Sequence, residues 1–230
     1  MIDGIRLKVC GLTSLVDAEF ADNCGADYLG FILYPKSPRY ISLTQYRAMA
    51  PRLPGRKRVA VMVSPTTDHL REVVAAGFDY FQIHFPTDTP VSDLTAWSEI
   101  VREKHLWLAP KLPPAAEVSP ETLALAKFVL FDTYRADGLG GSGQTGDWEK
   151  FARLQAAHPK NFWILAGGLN PDNIGTAVKR SGAKFIDVSS GVESAPGVKD
   201  QTKLKAFVVA LHKARTAGLA PSLTSPGGSR

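Results

Sequence analysis

Phe162-Trp163-Ile164-Leu165-Ala166-Gly167-Gly168-Leu169-Asn170-Pro171, followed after a helical stretch by Phe185-Ile186-Asp187-Val188-Ser189-Ser190-Gly191, is the segment from which the fold is read. A short, nearly continuous apolar run breaks on paired glycines. Asn170-Pro171 then opens a helix, with proline at the first position, where its missing N–H costs nothing. A second apolar run follows and breaks on Ser-Ser-Gly. Continuous rather than alternating apolar character is what parallel strands covered by helices on their outer face show.

The same unit recurs along the chain. Apolar runs at Ile5–Cys10, Tyr28–Leu33, Arg58–Val63, Tyr80–His84, Leu106–Lys111 and Phe128–Asp132 precede the two already quoted. Their first residues lie between 22 positions (Arg58 to Tyr80) and 34 positions (Phe128 to Phe162) apart, about one strand-and-helix unit. Eight such units predict an α/β fold of the single (β/α)8 TIM-barrel type. A doubly wound open sheet is the runner-up, but it more often stops at five to seven strands, and no GxGxxG follows the first run. The helical signals agree. Ser14 is placed to cap a helix carrying Leu15, Ala18 and Ala21 on one face, with Gly25 to end it. Leu70, Val73 and Val74 form a stripe before Gly77, and Leu204, Phe207, Val208 and Leu211 form another, with Lys203, Lys205 and Lys213 on its wet face. A barrel domain over residues 1–216 is expected, with a disordered, Ala-, Gly-, Pro- and Ser-rich tail over 217–230.

Composition narrows the function. The 230 residues are 44% hydrophobic and 21% charged, enough for a full core. No apolar run reaches the length of a membrane span, no signal-peptide pattern opens the chain, and two cysteines make no disulfide framework; a reducing cytoplasm and no membrane partner are expected. A net charge of +5 favours anionic partners. The cations are scattered apart from Arg56-Lys57-Arg58, which argues against nucleic acid and for a small phosphorylated metabolite. Monomer and homodimer are left open.

Barrel chemistry sits at the C-terminal strand ends. There the runs carry reactive side chains: Cys10 on the first, His84 on the fourth, Lys111 on the fifth, Asp132 on the sixth, and Asp187 near the end of the eighth. Strands one and six stand three places apart in a ring of eight, so Cys10 and Asp132 would face each other across the mouth, suited to a base and an acid working on one molecule. Each has a plainer reading. A lone cysteine is usually a small buried hydrophobe, which is the reading taken for Cys24. Asp132 could cap a turn, and His84 could be a satisfied core histidine. Glycine-rich stretches at Gly140-Gly141-Ser142-Gly143, Gly167-Gly168 and Ser189-Ser190-Gly191 follow strands six to eight. They allow backbone N–H groups to approach a phosphate, with a short helix after strand eight aimed at it. Arg39, in the proline-stiffened loop Tyr34–Tyr40, offers a planar fork for a carboxylate.

Lys8-Val9-Cys10-Gly11-Leu12-Thr13, Pro35-Lys36-Ser37-Pro38-Arg39-Tyr40, Gln82-Ile83-His84, Asp132 with Gly140–Gly143, Ala166–Pro171 and Asp187–Glu193 together resemble the phosphoribosylanthranilate isomerase family, from about residue 6 to residue 211. The resemblance implies an Amadori rearrangement, aldose to ketose, in tryptophan biosynthesis, with no metal or organic cofactor. It implies Asp132 as the general acid on the ring oxygen and Cys10 as the general base at C2. Arg39 falls near the anthranilate carboxylate and Asp187 near the sugar. Other phosphosugar barrels remain alternatives: a histidine-pathway aminoaldose isomerase, which would use paired aspartates, or indole-glycerol-phosphate synthase, for which Lys111 would serve. One departure from the family pattern, Phe85-Pro86-Thr87-Asp88 after His84, suggests a reshaped loop with Phe85 as an exposed contact or lid. Cys10 would need a cationic or dipolar neighbour to act as a thiolate, one that local sequence does not identify.

Overall fold

The computed structural model describes residues 1–132 and 147–217. Within them the chain alternates β1 (Arg6–Val9), α1 (Leu15–Asn23), β2 (Tyr28–Ile32), α2 (Leu43–Met49), β3 (Lys57–Val63), α3 (Thr67–Val74), β4 (Tyr80–Pro86), α4 (Val91–Val101), β5 (Leu106–Lys111), α5 (Pro120–Ala124) and β6 (Phe128–Phe131). It continues through α6 (Trp148–Ala157), β7 (Phe162–Leu165), α7 (Ile174–Ser181), β8 (Phe185–Val188), a hairpin of β9 (Glu193–Ala195) and β10 (Val198–Lys199), and α8 (Gln201–Ala217). Strands β1 to β8 pair in sequence order, all parallel, and β8 closes on β1 with Lys8 opposite Asp187. The expected (β/α)8 barrel is the observed architecture. No helix among the described residues is long and apolar enough to cross a membrane.

Side chains alternate across each strand. Leu7, Val9, Leu29, Phe31, Ile83, Phe85, Val129, Phe131, Leu165 and Ile186 pack outward under the helices. Tyr28, Val59, Val61, Trp107, Ala109, Phe128, Leu130, Ile164 and Phe185 pack together inside. Both faces are buried, which is why the runs read as continuous. The floor of the interior is aromatic: Trp107 meets Tyr28, Phe128 and Phe185 at ring separations of 5.3 Å. Inward positions toward the C-terminal end carry the polar side chains of Lys8, Gln82, His84 and Asp187.

Local signals explain the helix boundaries. Ser14 accepts from the Asp17 N–H and opens α1, and the chain turns after it at Gly25 with φ +88°. Ser42 and Gln45 form a reciprocal capping box at α2. Leu204, Phe207 and Leu211 of α8 are fully buried, while Val208 is only half-covered. On the other face of α8, Lys203 donates to the Glu193 carbonyl and Lys205 lies over the Phe20 ring.

Three sequence expectations are corrected. Val74 is exposed, because the α3 stripe ends at Leu70 and Val73. The seventh helix begins at Ile174 rather than at Asn170-Pro171. The Asn170 side chain accepts from the N–H groups of Asp172 and Asn173, and Asn173 accepts from the Asn170 N–H, closing a separate turn first. Phe85 is neither exposed nor a lid: β4 runs on to Pro86, placing Phe85 on its outward face against Trp97 at 5.9 Å.

Candidate functional site

The C-terminal mouth of the barrel holds a cavity of about 360 Å³. Cys10, immediately after β1, and Asp132, immediately after β6, both line it. His84, Asp187, Arg39, Gly167, Gly168, Ser189 and Ser190 line it as well. The structure thus gathers around one cavity the residues predicted from five strand ends and the loop after β2. Gly191 follows directly. Gly141, Ser142 and Gly143 lie outside the described residues. Lys111 is not among the described residues that line the cavity, and Cys24 is half-buried against the outer core.

At the base of the cavity lies a charge pair. Lys8 Nζ stands 3.0 Å from both carboxylate oxygens of Asp187, with the lysine wholly buried. Burial is the largest influence and disfavours the ammonium, but Asp187 and Cys10 together outweigh it and hold Lys8 protonated above its ordinary range. Burial pushes the Cys10 thiol upward, and the strongest opposing influence is the Lys8 charge. Burial likewise drives the Asp187 carboxyl upward, with Lys8 opposing it.

Arg39 reaches from the loop after β2 to Glu193 at the start of β9. Its Nε donates at 2.9 and 3.0 Å and its Nη2 at 2.7 Å. Lys199, buried on β10, holds the same carboxylate at 2.7 Å. Burial would raise the Glu193 carboxyl, but Arg39 and Lys199 together carry it below the usual range. The Nε N–H and one Nη2 N–H of Arg39 are thereby committed inside the protein, which leaves its Nη1 N–H groups and the second Nη2 N–H for a ligand carboxylate.

His84 sits 2.7 Å from Gln82 through its Nε2. With the amide N–H donating, the ring accepts at Nε2 and is neutral. Burial, reinforced by the Lys8 charge, lowers its pKa to about 4. It is an uncharged wall residue at neutral pH.

On the opposite wall, Gly167 and Gly168 adopt φ of +88° and +63°. The segment after β8 makes a single 3-10 turn, Ser190–Val192, the short helix expected there. That turn packs onto the β7 loop so closely that a Cβ at Gly191 would stand 1.9 Å from the Leu169 carbonyl oxygen. Ser189 donates its hydroxyl to the Cys10 carbonyl at 3.1 Å, so its proton braces the end of β1 rather than remaining for a phosphate.

Local sequence had not singled out Lys8, Gln82, Glu193 or Lys199 as site residues. A signal existed for the first: a lysine within one apolar run and an aspartate within another are two charges that burial would force into partnership.

A family model described as N-(5′-phosphoribosyl)anthranilate (PRA) isomerase matches residues 7–210. The chain belongs to the N-(5′-phosphoribosyl)anthranilate isomerase family. It is 37% identical over 219 residues to the N-(5′-phosphoribosyl)anthranilate isomerase of Synechococcus elongatus, covering 90% of this chain and 96% of that one. Its fold is similar to the phosphoribosyl anthranilate isomerase structure from Thermotoga maritima, with TM-score 0.73 and 32% identity over 91% of this chain and 98% of that one. It is also similar to a phosphoribosyl anthranilate isomerase solved with reduced 1-(o-carboxyphenylamino)-1-deoxyribulose 5-phosphate, with TM-score 0.70 and 30% identity, covering 91% and 99% of the two chains. As in sequence, the isomerase family likeness spans nearly the whole barrel.

Proposed function

We propose that this member of the isomerase family performs the Amadori rearrangement of phosphoribosylanthranilate to the carboxyphenylamino-deoxyribulose phosphate, a step of tryptophan biosynthesis, with Asp132 as general acid and Cys10 as general base. The observation that carries the reading is that Cys10 and Asp132 follow β1 and β6 on walls of one cavity, while a third wall is built from the glycine and serine turns after β7 and β8. The related structure that holds a reduced form of the product supports a phosphosugar in this cavity. Lys111, which a synthase reading would need, is absent from the described lining.

The chemistry needs protons delivered to the ring oxygen and to C1, and protons taken from C2 and its hydroxyl. Asp132 gives its proton to the furanose ring oxygen, the C1–O bond breaks, and the nitrogen lone pair forms a Schiff base at C1. Cys10, as thiolate, removes the C2 proton, and the electron pair moves into C1–C2 as the iminium nitrogen becomes neutral. The enolamine then takes a proton at C1 and releases the proton of its C2 hydroxyl, becoming the ketone. The net change is internal, C1 reduced and C2 oxidised, so no external electron donor is required and no cofactor or metal is implied. The glycine and serine turns take the phosphate through backbone N–H groups. Arg39, through the N–H groups that Glu193 leaves, takes the anthranilate carboxylate, and Asp187 takes a sugar hydroxyl.

Loss of substrate fluorescence with freshly prepared phosphoribosylanthranilate reports turnover directly. Cys10→Ser and Asp132→Asn are each expected to lower kcat by about 10²- to 10⁴-fold with unchanged circular dichroism. Near-normal turnover in either variant overturns the role given to that residue.

A further inference from the structure

Lys8 is wholly buried, and it does not itself line the cavity. A buried ion pair is a poor device for stability, since well-packed apolar residues do as well or better. The pair with Asp187 therefore calls for another purpose, and its surroundings supply one. A Cβ placed on Gly30 of β2 would meet Lys8 Cε at 2.8 Å, Lys8 Nζ at 3.0 Å and Cys10 Sγ at 3.0 Å. Ammonium and sulfur thus converge over the same bare glycine, and any larger residue there would push them apart. Lys8 and Cys10 share an inward face of one chain segment because they are two residues apart. Asp187 engages the ammonium from β8, and an ammonium has three N–H donors, so capacity remains for sulfur.

We propose that Lys8 is a positioning residue whose ammonium is the counter-charge of the Cys10 sulfur once the thiol has released its proton, with Asp187 holding that ammonium charged and in place beneath the cavity. The inference rests on the reading of Cys10 as the base. The thiol proton passes to solvent at the cavity mouth; Lys8 keeps all three of its own protons throughout. The thiolate then accepts the C2 proton and returns to the thiol, so no charge is left stranded.

The groups acting on Cys10 make the idea testable by sign. Lys8 favours the thiolate, and Asp187 on β8 disfavours it. Lys199 on β10 acts more weakly, in the same sense as Lys8. Arg39, from the loop after β2, also faces the sulfur and is tied to Glu193. His84 on β4 lines the same cavity and is neutral. A purely structural role for Lys8 would move none of these balances.

The experiment follows iodoacetamide alkylation of Cys10 against pH in a Cys24→Ser background, alongside kcat and KM. Lys8→Met is expected to move the alkylation midpoint upward by about one pH unit or more, slowing alkylation at neutral pH about tenfold, and to lower kcat far more than it alters KM. Asp187→Asn is expected to move the midpoint the opposite way. Where Lys8→Met fails to fold around an unpaired carboxylate, Lys8→Met/Asp187→Asn removes both charges, and its midpoint is expected above that of Asp187→Asn alone. Coincident midpoints for those two, or a Lys8→Met shift in the direction of Asp187→Asn, overturn the proposal. Normal turnover by Cys10→Ser would instead overturn the base reading, while the alkylation comparison still decides whether Lys8 governs the thiol.

Discussion

Arg39 and Glu193, 154 positions apart, are joined by a fork of hydrogen bonds in which Nη2 lies 2.7 Å from Oε2. The loop after β2 is thereby fastened to the hairpin after β8, across the edge of the cavity. Charge-assisted bidentate pairs of this kind fix orientation as well as position.

Glu193→Gln keeps the shape of that fork but removes its charge and one acceptor. The Arg39 guanidinium then swings more freely, and Lys199 loses its buried counter-charge. KM for phosphoribosylanthranilate is expected to rise about tenfold, with a smaller change in kcat. Steady-state kinetics on the purified variant measure this, and an unchanged KM refutes a role for Glu193 in orienting Arg39.

Gly191→Ala would drive a methyl group into the Leu169 carbonyl, 1.9 Å from its ideal position. The turn after β8 must then move away from the loop after β7. Inorganic phosphate, as a competitive inhibitor, is expected to bind at least about tenfold more weakly, a loss of about 1.4 kcal/mol. An unaltered inhibition constant would separate this turn from phosphate binding.

His84 supplies a pH dependence of stability. Its folded pKa, about 4, lies below the ordinary histidine value of 6.5. Between these values the unfolded chain binds a proton that the native protein refuses, so stability is complete above pH 6.5 and falls as pH drops toward 4. From pH 7.5 to pH 5.0 this one residue is expected to cost about 2 kcal/mol. Urea unfolding of the parent and of His84→Gln at both pH values tests it: the variant's pH-dependent loss should be smaller by that amount.

Phe85→Ala opens a hole beneath α4, where the ring meets Trp97. A loss of about 3–5 kcal/mol in unfolding free energy is expected, with kcat nearly unchanged because the side chain points away from the cavity. A mild effect on stability combined with a large effect on kcat would show that the residue acts on the site instead.

The barrel was legible because its causes are local. Apolar runs such as Phe128–Phe131 and Phe185–Val188 are short, bounded by turn residues and separated by helix-length segments, and parallel pairing in order needs nothing more. Cys10, Asp132 and the glycine turns after β7 and β8 could be assigned to one mouth from strand ends alone. Asn170 and Phe85 misled for a related reason. A helix start and an exposed loop are fair local readings, but side-chain turns and the length of β4 decided otherwise.

Local patterning along the chain thus accounts for the repeat, the closure of the ring and the end at which reactive side chains collect. How those side chains are charged and held follows from packing between distant strands. Lys8 meets Asp187 across 179 positions, and its ammonium converges with the Cys10 sulfur over a glycine. Hydrophobic period and turn chemistry act over a few residues, whereas a counter-ion, a buried thiol and a neutral histidine depend on which strands closure sets side by side and how much water it shuts out.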